Sequence, residues 1–147
     1  MAQRSLGAPW TRLSDKERQE FVSLFVNLIR DTVANKIDQY YDEQIFYLIE
    51  QREGSCAQVR TNLVGPKVDT SLDFRLENRS GRWLVYEVVI DGASIVRNYR
   101  TQFSRIIRDT AYAGLVEKMK QRVHTVKWFE KTAPAIVLVS TDTAESR

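Results

Sequence analysis

The chain has few of the side chains that catalyse reactions or bind metals. It contains one histidine, His124, and one cysteine, Cys56, among 147 residues. A Ser-His-Asp triad needs a histidine beside a nucleophile, and a metal site usually needs several His or Cys side chains. The sequence therefore predicts no catalytic triad, no metal site and no cofactor. A single cysteine cannot form an internal disulfide, and Cys56 is expected to be a small buried apolar side chain.

Three carboxylates lie in or beside a predicted sheet, where one of them could act as a general acid or base. They are Asp73, Glu87 and Asp91. Asp73 alternates with apolar neighbours, which places it on the wet face of its strand, and Asp91 precedes Gly92 in a turn. We therefore expect no enzyme. A small-molecule enzyme whose cavity contains one such carboxylate is the alternative.

The apolar side chains are more informative, because they repeat at strand and helix spacing between Trp83 and Ile107. This segment predicts a strand, a tight corner at Asp91-Gly92 and an amphipathic helix with Ser94 as its N-cap. The strand is apolar on both faces, so both faces are expected to be covered. One side of the helix is apolar and the other is basic, with Arg97, Arg100, Arg105 and Arg108 along it.

The elements on either side can be placed by the same periodicities. Ser14 and Glu17 have capping-box spacing, which predicts the start of a helix. Val22 and Val26 widen the apolar stripe of this helix, so we expect other parts of the protein to pack against it on more than one side. Turn residues separate four predicted strands, and a further helix follows the basic one. The strands are 44–51, 56–64, 68–77 and 82–90, and the helices after them are 94–109 and 111–124.

A helix, four antiparallel strands and two helices predict an α+β fold: a curved four-stranded sheet packed against helices on one face, as in the cone of NTF2-like and cystatin-like proteins. Residues 1–128 are expected to form a single domain, and 129–147 a tail. The chain is 43% hydrophobic with a net charge of +3, and it has no apolar run of the roughly 20 residues that span a bilayer. Its basic residues lack a nucleic-acid-reading motif, so no nucleic-acid partner is expected.

The segment WLVYEVVIDGASIVRNYRTQFSRII resembles the signature of the periplasmic phospholipid-binding proteins of the Mla lipid-transport system, also known as toluene-tolerance proteins. The resemblance continues upstream through LGAPWTRLSDKERQEFVSLFVNLIRDTVANKIDQYYDEQI and downstream through YAGLVEKMKQR, so that it covers roughly residues 5 to 122. Members usually begin with a secretory signal peptide and several further helices. No signal peptide is expected in this sequence, and it is expected to lack the N-terminal helices that usually precede this pattern.

The resemblance implies a non-enzymatic periplasmic carrier of a Gram-negative bacterium that maintains outer-membrane lipid asymmetry and solvent tolerance. Its implied partners are phospholipid, an inner-membrane ABC transporter complex and an outer-membrane lipoprotein complex. The four arginines of the basic stripe are candidates for contact with headgroups or a partner. The candidate lipid-lining residues are Phe25, Leu28, Ile29, Leu72, Phe74, Tyr86, Val88, Ile90, Tyr99, Phe103, Ile106, Leu115 and Met119.

A second alternative to the carrier is an interaction module with a filled core. It predicts no cavity large enough for an acyl chain, whereas the enzyme alternative predicts an ionisable group deep inside a pocket. A carrier predicts an almost entirely apolar lining.

Overall fold

A computed structural model describes residues 1–38, 44–64, 69–121, 126–127 and 137–138. The helices are α1 (Ala2–Leu6), α2 (Asp15–Asp38) and α3 (Ile95–Gln121), and a 3-10 helix (Ala8–Arg12) joins the first two. The strands are β1 (Gln44–Glu53), β2 (Cys56–Val64), β3 (Thr70–Arg79), β4 (Arg82–Ile90), β5 (Ala93–Ser94), β6 (Val126–Lys127) and β7 (Val137–Leu138). His124 and almost all of the predicted tail lie outside these residues.

The strands β1 to β5 form one open antiparallel sheet in sequence order, and β6 pairs with β7 separately. The predicted α+β class and the antiparallel sheet packed against helices are confirmed. The sheet has one strand more than predicted, the two-residue β5. On β3 and β4, Leu72 pairs with Ile90 and Phe74 with Val88, so the apolar positions of both strands share the face that packs against the helices.

Both predicted helix caps are present. At the start of α2, the Ser14 amide donates to Glu17 Oε2 at 2.8 Å, and the Glu17 amide donates back to Ser14 Oγ at 3.3 Å. The Ser14 hydroxyl also donates to Glu17 Oε2 at 2.8 Å, and the hydrogen bonds that the carboxylate accepts from the Ser14 amide and hydroxyl lower the pKa of Glu17. At the start of α3, the Arg97 amide donates to Ser94 Oγ at 3.0 Å.

The predicted corner at Asp91-Gly92 is a tight turn between β4 and β5. Asp91 has φ 48° and Gly92 has φ 82°, a left-handed pair typical of turns that join antiparallel strands. The Ser71 amide donates to Asp91 Oδ1 at 2.9 Å, and the Asp91 amide donates to the Ser71 carbonyl at 3.0 Å. The Asp91 carboxylate therefore fastens the turn to β3.

Glu87 is a buried carboxylate whose oxygens accept hydrogen bonds around the start of α3. Its donors are the Val88 amide at 2.9 Å, the Ser94 hydroxyl at 2.5 Å and the Val96 amide at 3.1 Å. A carboxylate at this position also interacts favourably with the positive end of the helix dipole. The contacts give Glu87 a structural role in joining β4 to α3.

The helix α3 is interrupted where the sequence predicts a break between two helices. Ala111 has φ 61° and ψ 179°, outside helical geometry, and helical residues continue on both sides. Just after the break, a Cβ atom on Gly114 would lie 2.1 Å from Thr110 Oγ1, which donates to the Ile106 carbonyl. The glycine therefore leaves room for the hydroxyl that packs against the interrupted helix.

An aromatic cluster joins α2 to α3 at the centre of the core. Phe21, Tyr99 and Phe103 are fully buried, and Phe25 is 2% exposed. The ring of Phe103 lies 5.7 Å from that of Phe21 and 5.3 Å from that of Tyr99, within the range of favourable aromatic pairs. The Tyr99 hydroxyl lies 3.2 Å from Thr32 Oγ1, which satisfies both buried groups.

Tyr112 connects the second half of α3 to the first turn of α2. Its hydroxyl donates to the Glu17 carbonyl at 3.4 Å, and burial, followed by the charges of Glu17 and Glu20, raises its pKa to about 12. Because the pKa of Tyr112 in the folded protein exceeds the ordinary tyrosine value of 10.0, this group stabilises the fold fully below pH 10 and loses that contribution as the pH rises towards 12.

We therefore expect Tyr112→Phe to make the free energy of unfolding less steeply dependent on pH between about pH 10 and 12. Urea unfolding of both proteins at several alkaline pH values measures this difference. Parallel pH profiles would contradict the assignment of the raised pKa to Tyr112.

Two expectations from the sequence are wrong. Cys56 is exposed, because it forms the first pair of the β1–β2 hairpin, opposite Glu53 at the end of the sheet. The strand β4 is covered on both faces only in its second half: its first apolar residues, Trp83, Leu84 and Val85, are 38% to 42% exposed among the described residues.

Candidate functional site

A cavity of about 600 Å³ lies between the N-terminal helices, α2 and the β3–β4 hairpin. We call it the apolar groove. Its size falls within the range of about 300 to 1,000 Å³ that is typical of small-molecule sites. The described residues that line it are Met1, Ala2, Gln3, Arg4, Trp10, Val22, Phe25, Val26, Ile29, Glu77, Arg79, Leu84, Val85 and Tyr86.

Two walls of the groove are apolar and face water. On α2, Val22 and Val26 are 38% and 47% exposed, although the neighbouring Phe25 belongs to the core. On β4, Leu84 and Val85 are 42% and 38% exposed. Contiguous exposed apolar side chains of this kind usually mark a binding surface.

A β-bulge on β4 shapes the wall opposite α2. Arg75 pairs with Glu87 and Leu76 pairs with Val85, so Tyr86 has no partner in the ladder. An extra residue of this kind bends the strand and changes which side chains point to each face. Tyr86 lines the apolar groove and also a smaller, more polar cavity of about 260 Å³ beside Gln51, Cys56 and Arg75.

Three described residues with charged side chains line the groove, and they form one cluster. Glu77 Oε1 accepts a short hydrogen bond from Arg79 Nε, and Glu77 Oε2 lies 3.7 Å from a terminal nitrogen of Arg4. The hydrogen bond from Arg79 lowers the pKa of Glu77. The Arg4 guanidinium lies over the ring of Tyr86, 4.7 Å from its centre.

Of the predicted lipid-lining residues, Phe25, Ile29 and Tyr86 line the groove. The others pack in the core or against it, where protein side chains surround them, and contact with lipid stays a prediction for all of them. These residues are Leu28, Leu72, Phe74, Val88, Ile90, Tyr99, Phe103, Ile106, Leu115 and Met119.

None of the four arginines of the predicted basic stripe is among the described residues that line the groove. All four are exposed on α3. Arg100 donates to the Arg4 carbonyl through Nε at 2.8 Å and through a terminal nitrogen at 2.5 Å, which anchors α1 on α3. Arg108 lies 3.6 Å from Asp109. A role of Arg97, Arg100, Arg105 and Arg108 towards headgroups or partners stays a prediction.

The remaining groove residues differ in how far the sequence could have indicated them. The sequence does indicate Val22 and Val26, because they widen the apolar stripe of α2 beyond what one neighbouring element can cover. Leu84 and Val85 belong to a strand apolar on both faces. The N-terminal segment has no comparable pattern, and Arg4, Glu77 and Arg79 are brought together only by the tertiary fold.

The three carboxylates considered as candidates for general acid or base have structural partners. Asp73 Oδ2 lies 3.3 Å from Arg60 Nε and 3.5 Å from Gln58 Nε2, while Glu87 and Asp91 hold the start of α3 and the turn described above. In the described ranges, no three His, Cys, Asp or Glu side chains are close enough to bind a metal ion together. No helix of that part of the chain is long and apolar enough to cross a membrane.

Comparisons with known proteins place this geometry in a family. The chain is 25% identical over 122 residues to the intermembrane phospholipid transport system binding protein MlaC of Haemophilus influenzae, covering 79% of this chain and 57% of the relative. It thus spans little more than half of that protein's length.

A solved structure has the same fold. It is the phospholipid-binding protein of Ralstonia solanacearum, in complex with a phospholipid, with a TM-score of 0.73 at 22% identity over 83% of this chain and 70% of that one. The family model of the MlaC protein matches residues 1–121, which include every residue of the apolar groove. The chain therefore belongs to the MlaC family.

Proposed function

We propose that this chain is a phospholipid-binding carrier and that acyl tails lie in the apolar groove. The observation that carries the proposal is the groove itself, about 600 Å³ in volume and lined mainly by apolar side chains of α2 and β4. The names of the Haemophilus and Ralstonia proteins, which state phospholipid transport and phospholipid binding, support the same ligand class.

The exposure of the groove walls bears on how tightly a tail would be held. Each fully buried methylene contributes about 0.8 kcal/mol, so a completely enclosed pair of acyl chains would scarcely leave the protein. Val26 and Leu84 are more than 40% exposed, so a tail laid along them keeps part of its surface in water. Such partial burial suits a carrier that must release its lipid to another protein or membrane.

The wider role follows from family membership and forms the second half of the proposal. The chain shuttles phospholipid through the periplasm between an inner-membrane ABC transporter complex and an outer-membrane lipoprotein complex, and so maintains outer-membrane asymmetry. No step of this role requires the protein to make or break a covalent bond. The enzyme alternative is less favoured, because the described sheet carboxylates Asp73, Glu87 and Asp91 are engaged in structural contacts.

Native mass spectrometry of the freshly purified chain tests the proposal. We expect co-purified phospholipid, and after delipidation we expect the protein to take up phospholipid again from vesicles and to unfold at a higher temperature when loaded. A delipidated protein that takes up no phospholipid and gains no thermal stability would contradict the proposal and favour an interaction module.

A further inference from the structure

The charge in the apolar groove is concentrated at one place. Among the described lining residues, the side chains that carry charge are Arg4, Glu77 and Arg79, and they form the cluster described above. Two guanidinium groups and one carboxylate leave the cluster with one net positive charge. The Met1 amino group also lies at the groove, close enough to interact with these three side chains. Phe25, Val26 and the apolar residues Leu84 and Val85 of the β4 wall carry no charge.

The two guanidinium groups are held in place, but their hydrogen-bonding capacity is not exhausted. Glu77 engages Arg79 through Nε and Arg4 through one terminal nitrogen, whereas a guanidinium offers five N–H donors. Arg4 is also stacked on Tyr86, and its backbone carbonyl is fixed by Arg100. The side chains of Arg4 and Arg79 are 52% and 67% exposed, so an anion can reach them from water.

We propose that Arg4 and Arg79 form a phosphate-binding subsite that receives the phosphodiester of a lipid whose tails occupy the apolar groove. This inference rests on the proposed function and adds to it the part of the lipid that the protein recognises. It places the headgroup contact at the mouth of the groove rather than on the exposed arginines of α3.

The chemistry of the ligand matches that of the cluster. A phosphodiester carries a single negative charge, which the one net positive charge of the cluster balances, and its two free oxygens suit the planar fork of an arginine. Glu77 keeps the two guanidinium groups close together while the site is empty. Because Tyr86 lies beneath Arg4 and also lines the groove, the phosphate subsite is continuous with the apolar wall.

Two detergents with the same twelve-carbon tail separate headgroup recognition from tail binding. Dodecylphosphocholine has a phosphodiester, and dodecyl maltoside has an uncharged sugar. Below their micelle-forming concentrations, calorimetric titration measures their affinities for the full chain, for Arg4→Gln/Arg79→Gln and for Arg82→Gln. Arg82 is the matched control because it pairs with Arg79 in the same hairpin, is exposed and does not line the groove.

We expect Arg4→Gln/Arg79→Gln to weaken binding of dodecylphosphocholine about tenfold, since charge-assisted hydrogen bonds are lost. Binding of dodecyl maltoside to the same variant should change less than about twofold, which also demonstrates that the groove remains folded. The Arg82→Gln variant should bind both detergents like the unmodified chain.

If the double variant bound both detergents more weakly to the same extent, or bound both with unchanged affinity, the phosphate subsite would be overturned. Neither result would contradict the proposal that acyl tails lie in the apolar groove. Failure of the unmodified chain to bind either detergent would instead refute the proposed function. An excess of inorganic phosphate should not displace dodecylphosphocholine; if it does, the arginines bind free phosphate and the assignment to a lipid headgroup is wrong.

Discussion

Replacing Phe103 by alanine is expected to lower the free energy of unfolding by about 3–5 kcal/mol, the usual cost of removing a buried phenylalanine ring. Phe103 is fully buried, and its ring packs against Phe21, Phe25 and Tyr99 at centroid distances between 5.3 and 6.4 Å. The neighbouring rings belong to two helices, so the cavity cannot close without moving one helix towards the other. Urea unfolding followed by circular dichroism measures the loss.

Phe46→Ala is the matched control for Phe103→Ala. Phe46 lies on the edge strand β1 and is 45% exposed, so the same change of side chain should cost much less stability there. If the two variants lost stability equally, the aromatic cluster would not be the centre of the core.

Val26→Trp is expected to abolish most phospholipid binding without unfolding the protein. Val26 is 47% exposed on the groove wall of α2, so a larger side chain can be accommodated, but only by filling space that the proposed function assigns to an acyl tail. Excluding about four methylenes from the groove costs about 3 kcal/mol, or roughly a hundredfold in affinity. Quantifying lipid bound after exposure to phospholipid vesicles measures this effect.

Ser23→Trp provides the comparison for Val26→Trp. Ser23 is exposed on the same helix and is not among the lining residues, so the variant should bind lipid like the unmodified chain. Similar losses in both variants would mean that bulk on α2, rather than occupation of the groove, impairs binding. Undiminished binding by Val26→Trp would place the tails elsewhere.

The features that could be predicted from the sequence depend on neighbouring residues. The capping box of Ser14 and Glu17 and the Asp91-Gly92 turn each need only a few consecutive residues, and the structure confirms both. The turn residues between the predicted strands likewise predict antiparallel neighbours, and β2 pairs with β3 in this way. The break in α3 is likewise expected from the sequence, between the predicted helices 94–109 and 111–124, and Ala111 interrupts the helix there.

The features of the fold and of the groove that the sequence did not predict depend on contacts between segments far apart in the chain. The helix α1 has only five residues, too few to show periodicity, and its Leu6 is buried by a tertiary fold that includes the hydrogen bond from Arg100 to Arg4. The apolar residues of α2 and α3 could be identified, but periodicity cannot tell a side chain packed in the core from one that faces a groove. The charged cluster likewise brings Arg4 next to Glu77 and Arg79, which lie more than seventy positions later in the sequence.

Tyr86, the unpaired residue on β4, divides the strand into two halves. Odd-numbered residues point inward before Tyr86, and even-numbered residues point inward after it. Beyond Tyr86, the side chains that alternate into the interior are Val88 and Ile90; before it, Val85 takes the position opposite Leu76. Deleting Tyr86 itself would restore a regular ladder and leave the inward positions on both sides unchanged. Deleting any other residue of β4 would exchange inward and outward positions between that residue and the nearer end of the strand. The groove wall can therefore diversify by point substitution at Leu84 and Val85, whereas a length change elsewhere than at Tyr86 would move side chains of this strand between its two faces.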